Sequence, residues 1–192
     1  MENHVTHEHS ESGQVLRPCR AEVKHPEIEW ERVWKMAVTP GLPSQYLTFL
    51  WKMLHDLLPS QERLFRLKMP NVVSGNCTHC DQNVPGNLTH SLLLCPYNDE
   101  AGNFLLDVLH QHLPNLLPQQ VVLLDLDADE ELHLPLLYIT AAVLSQIWAC
   151  RKEKRPCHLT SIRAALEAGI NIMRKSRFNE AAERLSNMIN IS

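Results

Sequence analysis

The feature that most limits what this chain can fold into is a set of four spaced metal-type donors, Cys77-Thr78-His79-Cys80 followed by His90 and Cys95, a C-x2-C-x9-H-x4-C pattern. In a CxxC turn both thiolates fall on the same side of the chain and can meet one ion. A His and a Cys supplied by a helical turn and its exit complete four soft or borderline donors, a set that suits tetrahedral Zn2+. His79 competes with His90, but a ligand wedged between the two cysteines of a CxxC strains the chelate, which favours His90. With four protein ligands no coordination position is left for water or substrate, so the ion is expected to be structural.

Whether these cysteines are ligands or disulfide partners depends on the compartment. Residues 1–13 are polar, with His4, His7 and His9 set among acids and no apolar run, so no secretory signal is read there. The chain is therefore expected to be intracellular, in nucleus or cytoplasm. Its six cysteines then read as ligands or core thiols, and the sequon-like triplets at Asn76 and Asn87 as unmodified. No stretch approaches the roughly 20 apolar residues of a bilayer span, so no membrane association is expected. An apolar share of 44% and a charged share of 21% are those of an ordinary globular protein. A formal net charge of -4 argues against a protein that coats nucleic acid by bulk electrostatics. The charge is uneven, however: five acids and no base lie in 122–131, and eight bases against two acids in 151–177.

The spacing of apolar residues predicts a mostly α fold, a helical bundle carrying an irregular Cys-Cys-His-Cys zinc loop. Residues 1–26 are expected to form a flexible tail and 27–192 one helical zinc-binding domain, with the loop at about 75–96. Trp30 and Trp34 mark a short helix over 28–38. Ser44 caps a helix with a stripe of Leu47, Leu50, Trp51, Leu54 and Leu58. Ser60 caps another over 61–68, with Leu64 and Leu67 inward and Arg63, Arg66 and Lys68 exposed as a basic corner. A helix is expected over 99–112, and the strongest over 134–153. Thr160 caps a last helical region running through Ile189. Residues 119–126 read as a short strand or an extended loop, and the acids from Asp125 to Glu131 as a solvated loop. Cys150 reads as a core residue.

Catalytic signatures are absent. There is no H-E-x-x-H, no deaminase H-x-E with P-C-x-x-C, no phosphate-binding glycine loop and no G-x-S-x-G. The chain is read as non-enzymatic.

The order of motifs from Trp34 onward resembles the zinc-binding region that follows the polymerase domain in non-LTR retrotransposon reverse transcriptases. Phe49-Leu50-Trp51-Lys52, Leu57-Leu58-Pro59-Ser60-Gln61-Glu62-Arg63-Leu64, Cys77-Thr78-His79-Cys80 and Thr89-His90-Ser91-Leu92-Leu93-Leu94-Cys95-Pro96 carry the likeness, with Ile147-Trp148-Ala149-Cys150-Arg151 and Met173-Arg174-Lys175-Ser176-Arg177 behind them. The resemblance implies a helical hairpin leading into a zinc loop and a module that helps hold RNA or DNA beside a polymerase. The chain has neither the length nor the paired aspartates of a polymerase palm. Arg63, Arg66 and Lys68 are the expected phosphate contacts, with Arg151 to Arg155 and Arg174 to Arg177 as further candidates. The alternative is a zinc-braced interaction or scaffold domain that binds a protein through its leucine-rich faces.

Overall fold

The longest helix of the computed structural model, which describes residues 20–189, is a 23-residue element, Glu130–Lys152. Its ends suit the helix dipole, with Glu130 and Glu131 in the first turn and Arg151 and Lys152 in the last. Leu136, Leu137, Ile139, Ala141, Val143, Leu144 and Ile147 are fully buried, and a helix apolar on nearly every face belongs at the centre of a core. By length and composition it could cross a bilayer, but 67% of its most apolar window is buried within the protein, as in a core helix. Pro135 lies in its second turn, and the helix starts at Glu130, four residues ahead of the expected 134–153.

In chain order the elements are α1 (Arg20–Lys24), α2 (Trp30–Ala37), α3 (Ser44–Leu54), α4 (Gln61–Arg66), a π-helical turn (His90–Leu94), a 3-10 turn (Pro96–Asn98), α5 (Asp99–His110), α6 (Pro118–Leu123), α7 (Glu130–Lys152), α8 (Leu159–Arg174) and α9 (Asn179–Ile189). Helices α2, α3, α5, α8 and α9 pack against α7, and one buried apolar cluster runs from Val33 to Ile189. The approach of α8 to α7 depends on Gly169, where a Cβ would fall 1.7 Å from the Tyr138 hydroxyl. Tyr138 in turn meets Tyr46 of α3 edge-on at 5.4 Å.

Several expectations are corrected. Residues 1–19 of the expected tail, with His4, His7, His9 and Cys19, lie outside the described residues, but residues 20–24 form α1, whose Lys24 reaches Asp56 at 3.3 Å. On α3 the buried face is Tyr46, Phe49, Leu50, Met53 and Leu54, whereas Leu47 and Trp51 face outward. The aromatic pair Tyr46 and Phe49 turns the helix, and Trp51 stacks on His55 at 4.4 Å instead of entering the core. Leu64 is half-buried and Leu67 exposed, so α4 is less well anchored than its pattern suggests. Residues 118–123 form α6, because Pro118 presets the first turn and the Gln120 side chain accepts from the Leu117 N–H at 2.9 Å, local capping that outweighs the β-branched composition.

Asp125 is no solvated loop acid. It is 5% exposed, held by the Arg32 guanidinium and by Gln120 Nε2 at 3.2 Å. The last helical region is two helices: Ser176 Oγ donates to the Met173 carbonyl at 2.7 Å and accepts from the Phe178 N–H at 3.2 Å, closing α8 and turning the chain into α9. α8 begins at Leu159 with His158 at the cap position, two residues ahead of the expected Thr160 cap.

Candidate metal centre

The metal loop is held from both sides by short backbone bonds. Asn76 and Pro85 form an antiparallel bridge, Cys77 N–H donates to the Val84 carbonyl at 2.8 Å, and Gly86 N–H to the Gly75 carbonyl at 2.8 Å. This ring seats on α4. Ser60 caps that helix through the Arg63 N–H at 3.3 Å, Gln61 Nε2 donates to the Ser74 carbonyl at 3.0 Å, and Glu62 N–H to the Gly86 carbonyl at 3.2 Å. The contact is close enough that a Cβ at Gly86 would meet Gln61 Cβ at 2.8 Å. Only glycine fits there without moving the loop off its helix.

The second ligand pair needs an unusual turn. His90 and Cys95 are five residues apart, and at about 100° per residue an α-helix would splay them by about 140°. The segment His90–Leu94 is instead π-helical, with i→i+5 register, which brings residues at this spacing toward the same side. Asn87 Oδ1 accepts from the His90 N–H at 2.8 Å at the start of the turn, and buried Asn98 donates from Nδ2 to the Ser91 carbonyl at 3.1 Å at its end.

Together these elements bring the ligand atoms of Cys77, Cys80, His90 and Cys95 within 4.8 Å of one another. Cys77 Sγ and Cys95 Sγ lie 3.8 Å apart, far beyond a disulfide bond. For Zn–S bonds near 2.3 Å, the edge of a tetrahedron is about 3.8 Å. Cys80 Sγ and His90 Nε2 lie 3.4 Å apart, against about 3.6 Å for a Zn–S, Zn–N edge. The donor set and its spacing therefore fit a tetrahedral zinc ion, and a full protein shell leaves no position for substrate.

His79 is not part of the tetrad. Its Nε2 lies 3.2 Å from the Arg151 carbonyl, its Nδ1 3.2 Å from Arg151 Nη2, and its ring packs edge-on to Tyr97 at 5.2 Å. Arg151 itself was expected in an exposed basic cluster. It is 7% exposed, with Nη2 3.5 Å from Cys77 Sγ. Burial opposes ionisation of Cys77, but the His79 N–H, Arg151 and His90 outweigh it and hold that thiol below the usual range. Cys95 goes the other way, pushed up by burial. Burial and the Arg151 charge keep the His79 ring below its ordinary value, favouring the neutral form.

Of the expected phosphate contacts, Arg63 and Arg66 converge on Asp56 rather than projecting freely. The Arg63 guanidinium bonds the Asp56 carbonyl, Arg66 Nη2 lies 2.5 Å from Asp56 Oδ2, and Lys24 joins them. These cations line a cleft of about 380 Å³ that also contains Asn87 and Thr89, next to the ligand His90. Lys68 is elsewhere, in left-handed backbone just past α4, on a surface shared with Phe65, Arg66, Met69 and Val72. Arg155 pairs with Glu153 at 2.5 Å, Arg174 with Glu183 at 2.8 Å, and Arg177 lies over the Phe178 ring at 5.0 Å. Sequence reasoning missed Lys24, Asp56 and the role of Arg151. Arg151 was visible only as one of several cations at the end of a long helix, with nothing local to mark its inward turn.

No curated protein and no solved structure matches this chain. A family comparison does match, and it falls on the site: residues 15–101 match the family described as zinc-binding in reverse transcriptase, a stretch that ends in the first turn of α5 and takes in Cys77, Cys80, His90 and Cys95.

Proposed function

We propose that this chain is an intracellular, non-enzymatic module in which Cys77, Cys80, His90 and Cys95 hold one structural zinc ion, and which helps hold RNA or DNA as the region after a retroelement polymerase would. The observation that carries this reading is the convergence of a Cys3His donor set inside the matched region. Bound there, zinc would fix the path of the loop. The nucleic-acid part draws support from the cleft beside the loop. Lys24, Arg63 and Arg66 outnumber Asp56 and Glu62 around it, and Lys68 adds a charge on the neighbouring surface. The net charge of -4 confines any phosphate binding to such a local patch.

Filter binding of zinc-loaded protein to structured RNA and to DNA at two salt concentrations tests it. The reading expects binding that weakens with salt, with log K falling by nearly one unit per phosphate contact for each tenfold rise in salt. No salt-dependent binding to either would overturn the nucleic-acid part. The scaffold reading would then stand on a different observation, the apolar groove lined by Trp34, Val38, Leu47 and Trp51, in which Val38 is 72% and Trp51 52% exposed.

A further inference from the structure

We propose that Arg151 is the counter-cation of the zinc–thiolate centre, so that zinc ties the C-terminal turn of α7 to the metal loop. The inference rests on the zinc reading above and adds a residue that lies outside the matched region.

Four observations carry it. Arg151 is in the last turn of α7 and 7% exposed, so its charge is withdrawn from water. A buried, unpaired cation is costly, and such groups persist where an opposite charge meets them. Its Nη2 lies 3.5 Å from Cys77 Sγ, while Nη1 is buried with no hydrogen-bond partner among the described residues. Three thiolates and one neutral imidazole around Zn2+ leave one net negative charge, which a single guanidinium balances.

His79 locks the arrangement. A guanidinium can only donate, so the Arg151 Nη2 contact at 3.2 Å requires a bare Nδ1. A carbonyl can only accept, so the 3.2 Å contact from Nε2 to the Arg151 carbonyl requires the proton there. The ring thus grips the side chain and the backbone of the same residue, and this fixes the end of α7 against the CxxC turn. The residue wedged between the two cysteines serves as a clamp. Groups that contact metal ligands in this way commonly set affinity by 10- to 100-fold.

The test uses the full chain as wild type, Arg151→Lys and Arg151→Met, with zinc affinity measured by competition against a chromophoric chelator. Arg151→Met is expected to bind zinc about 10- to 100-fold more weakly, and Arg151→Lys to recover part of the loss. Cobalt substituted for zinc should give the same tetrahedral thiolate spectrum in all three, because the ligands are unchanged. In the wild type, zinc should slow amide exchange over 149–155 as well as over 77–95, and this second measurement decides the matter if the Met variant fails to fold. Equal zinc affinity in wild type and Arg151→Met, or exchange over 149–155 indifferent to zinc, overturns the proposal while leaving the zinc reading intact. A wild type that binds no zinc overturns both.

Discussion

The metal loop and the bundle around α7 are held together by different physics. The bundle buries large apolar side chains from α2, α3 and α5 to α9 in one continuous cluster, and its stability is spread over many contacts. The loop between Gly75 and Gly86 has almost nothing of that kind. Its buried residues are Cys77 and Gly86, and its shape rests on a few backbone bonds beside a cluster of donors whose spacing fits a metal ion. Small zinc fingers take most of their folding energy from the ion. On the zinc reading proposed here, that dependence is confined to one segment, seated on α4 at one side and on the end of α7 at the other.

The sharpest way to break this contrast is to remove a ligand. Cys77→Ser, Cys80→Ser, His90→Ala and Cys95→Ser should each abolish stoichiometric zinc binding while leaving the helical content of the bundle in place. Native mass spectrometry reads the metal, and full occupancy in the Cys95 variant would mean that the tetrad is wrong. Lowering pH should act on the loop in the same direction. Zinc binds thiolates, so protons must leave on binding, and affinity should drop by at least about a hundredfold from pH 8 to pH 6, about tenfold per pH unit for each proton released. The proton on Cys95, whose thiol burial holds above the usual range, is released on binding throughout this window. Cys77, held below the usual range, sheds its proton more readily. Circular dichroism at 222 nm should stay flat over the same range.

The reverse experiment injures the bundle. Gly169→Ala places a methyl where the buried Tyr138 ring stands and should destabilise the protein by about 1–3 kcal/mol in urea unfolding, with zinc stoichiometry of the folded protein unchanged. An unchanged midpoint would show that α7 and α8 are more loosely packed than described. The smallest effects are expected at the cleft and at the neighbouring Lys68 surface. Arg66→Ala and Lys68→Ala together should flatten the salt dependence of nucleic-acid binding by up to nearly two units, and Asp56→Asn, which releases three cations from one carboxylate, should strengthen binding a few-fold. Weaker binding by Asp56→Asn would mean that the carboxylate positions the arginines instead of competing for them.

How much of this was legible in the sequence follows from the range over which each feature is decided. The tetrad was legible because chelate spacing is local, α2 because Trp30 and Trp34 share one helical face, and α5 and α7 because an apolar period repeats over several turns. The face of α3 was legible only in part: Leu50, Leu54 and Leu58 are buried as expected, but Tyr46, Phe49 and Met53 complete the face where Leu47 and Trp51 were expected. α6 looked extended because Val121 and Val122 dominate its composition, while Pro118 and Gln120 decide its conformation. The Arg63 and Arg66 corner reads as free charge until Asp56 is brought against it. Arg151 lies 74 residues from Cys77, and no local pattern marks which of several cations at the end of a helix turns inward.

The central claim is that the ion holds the loop and apolar burial holds the bundle. Amide exchange by mass spectrometry, on full-length protein before and after chelation, tests it most directly. The account predicts faster exchange over about 75–95 and in the last turn of α7, with the remainder of α7 and α8 protected as before and most of the helical dichroism retained. Loss of protection throughout α7 and α8, with collapse of the helical signal, would contradict it.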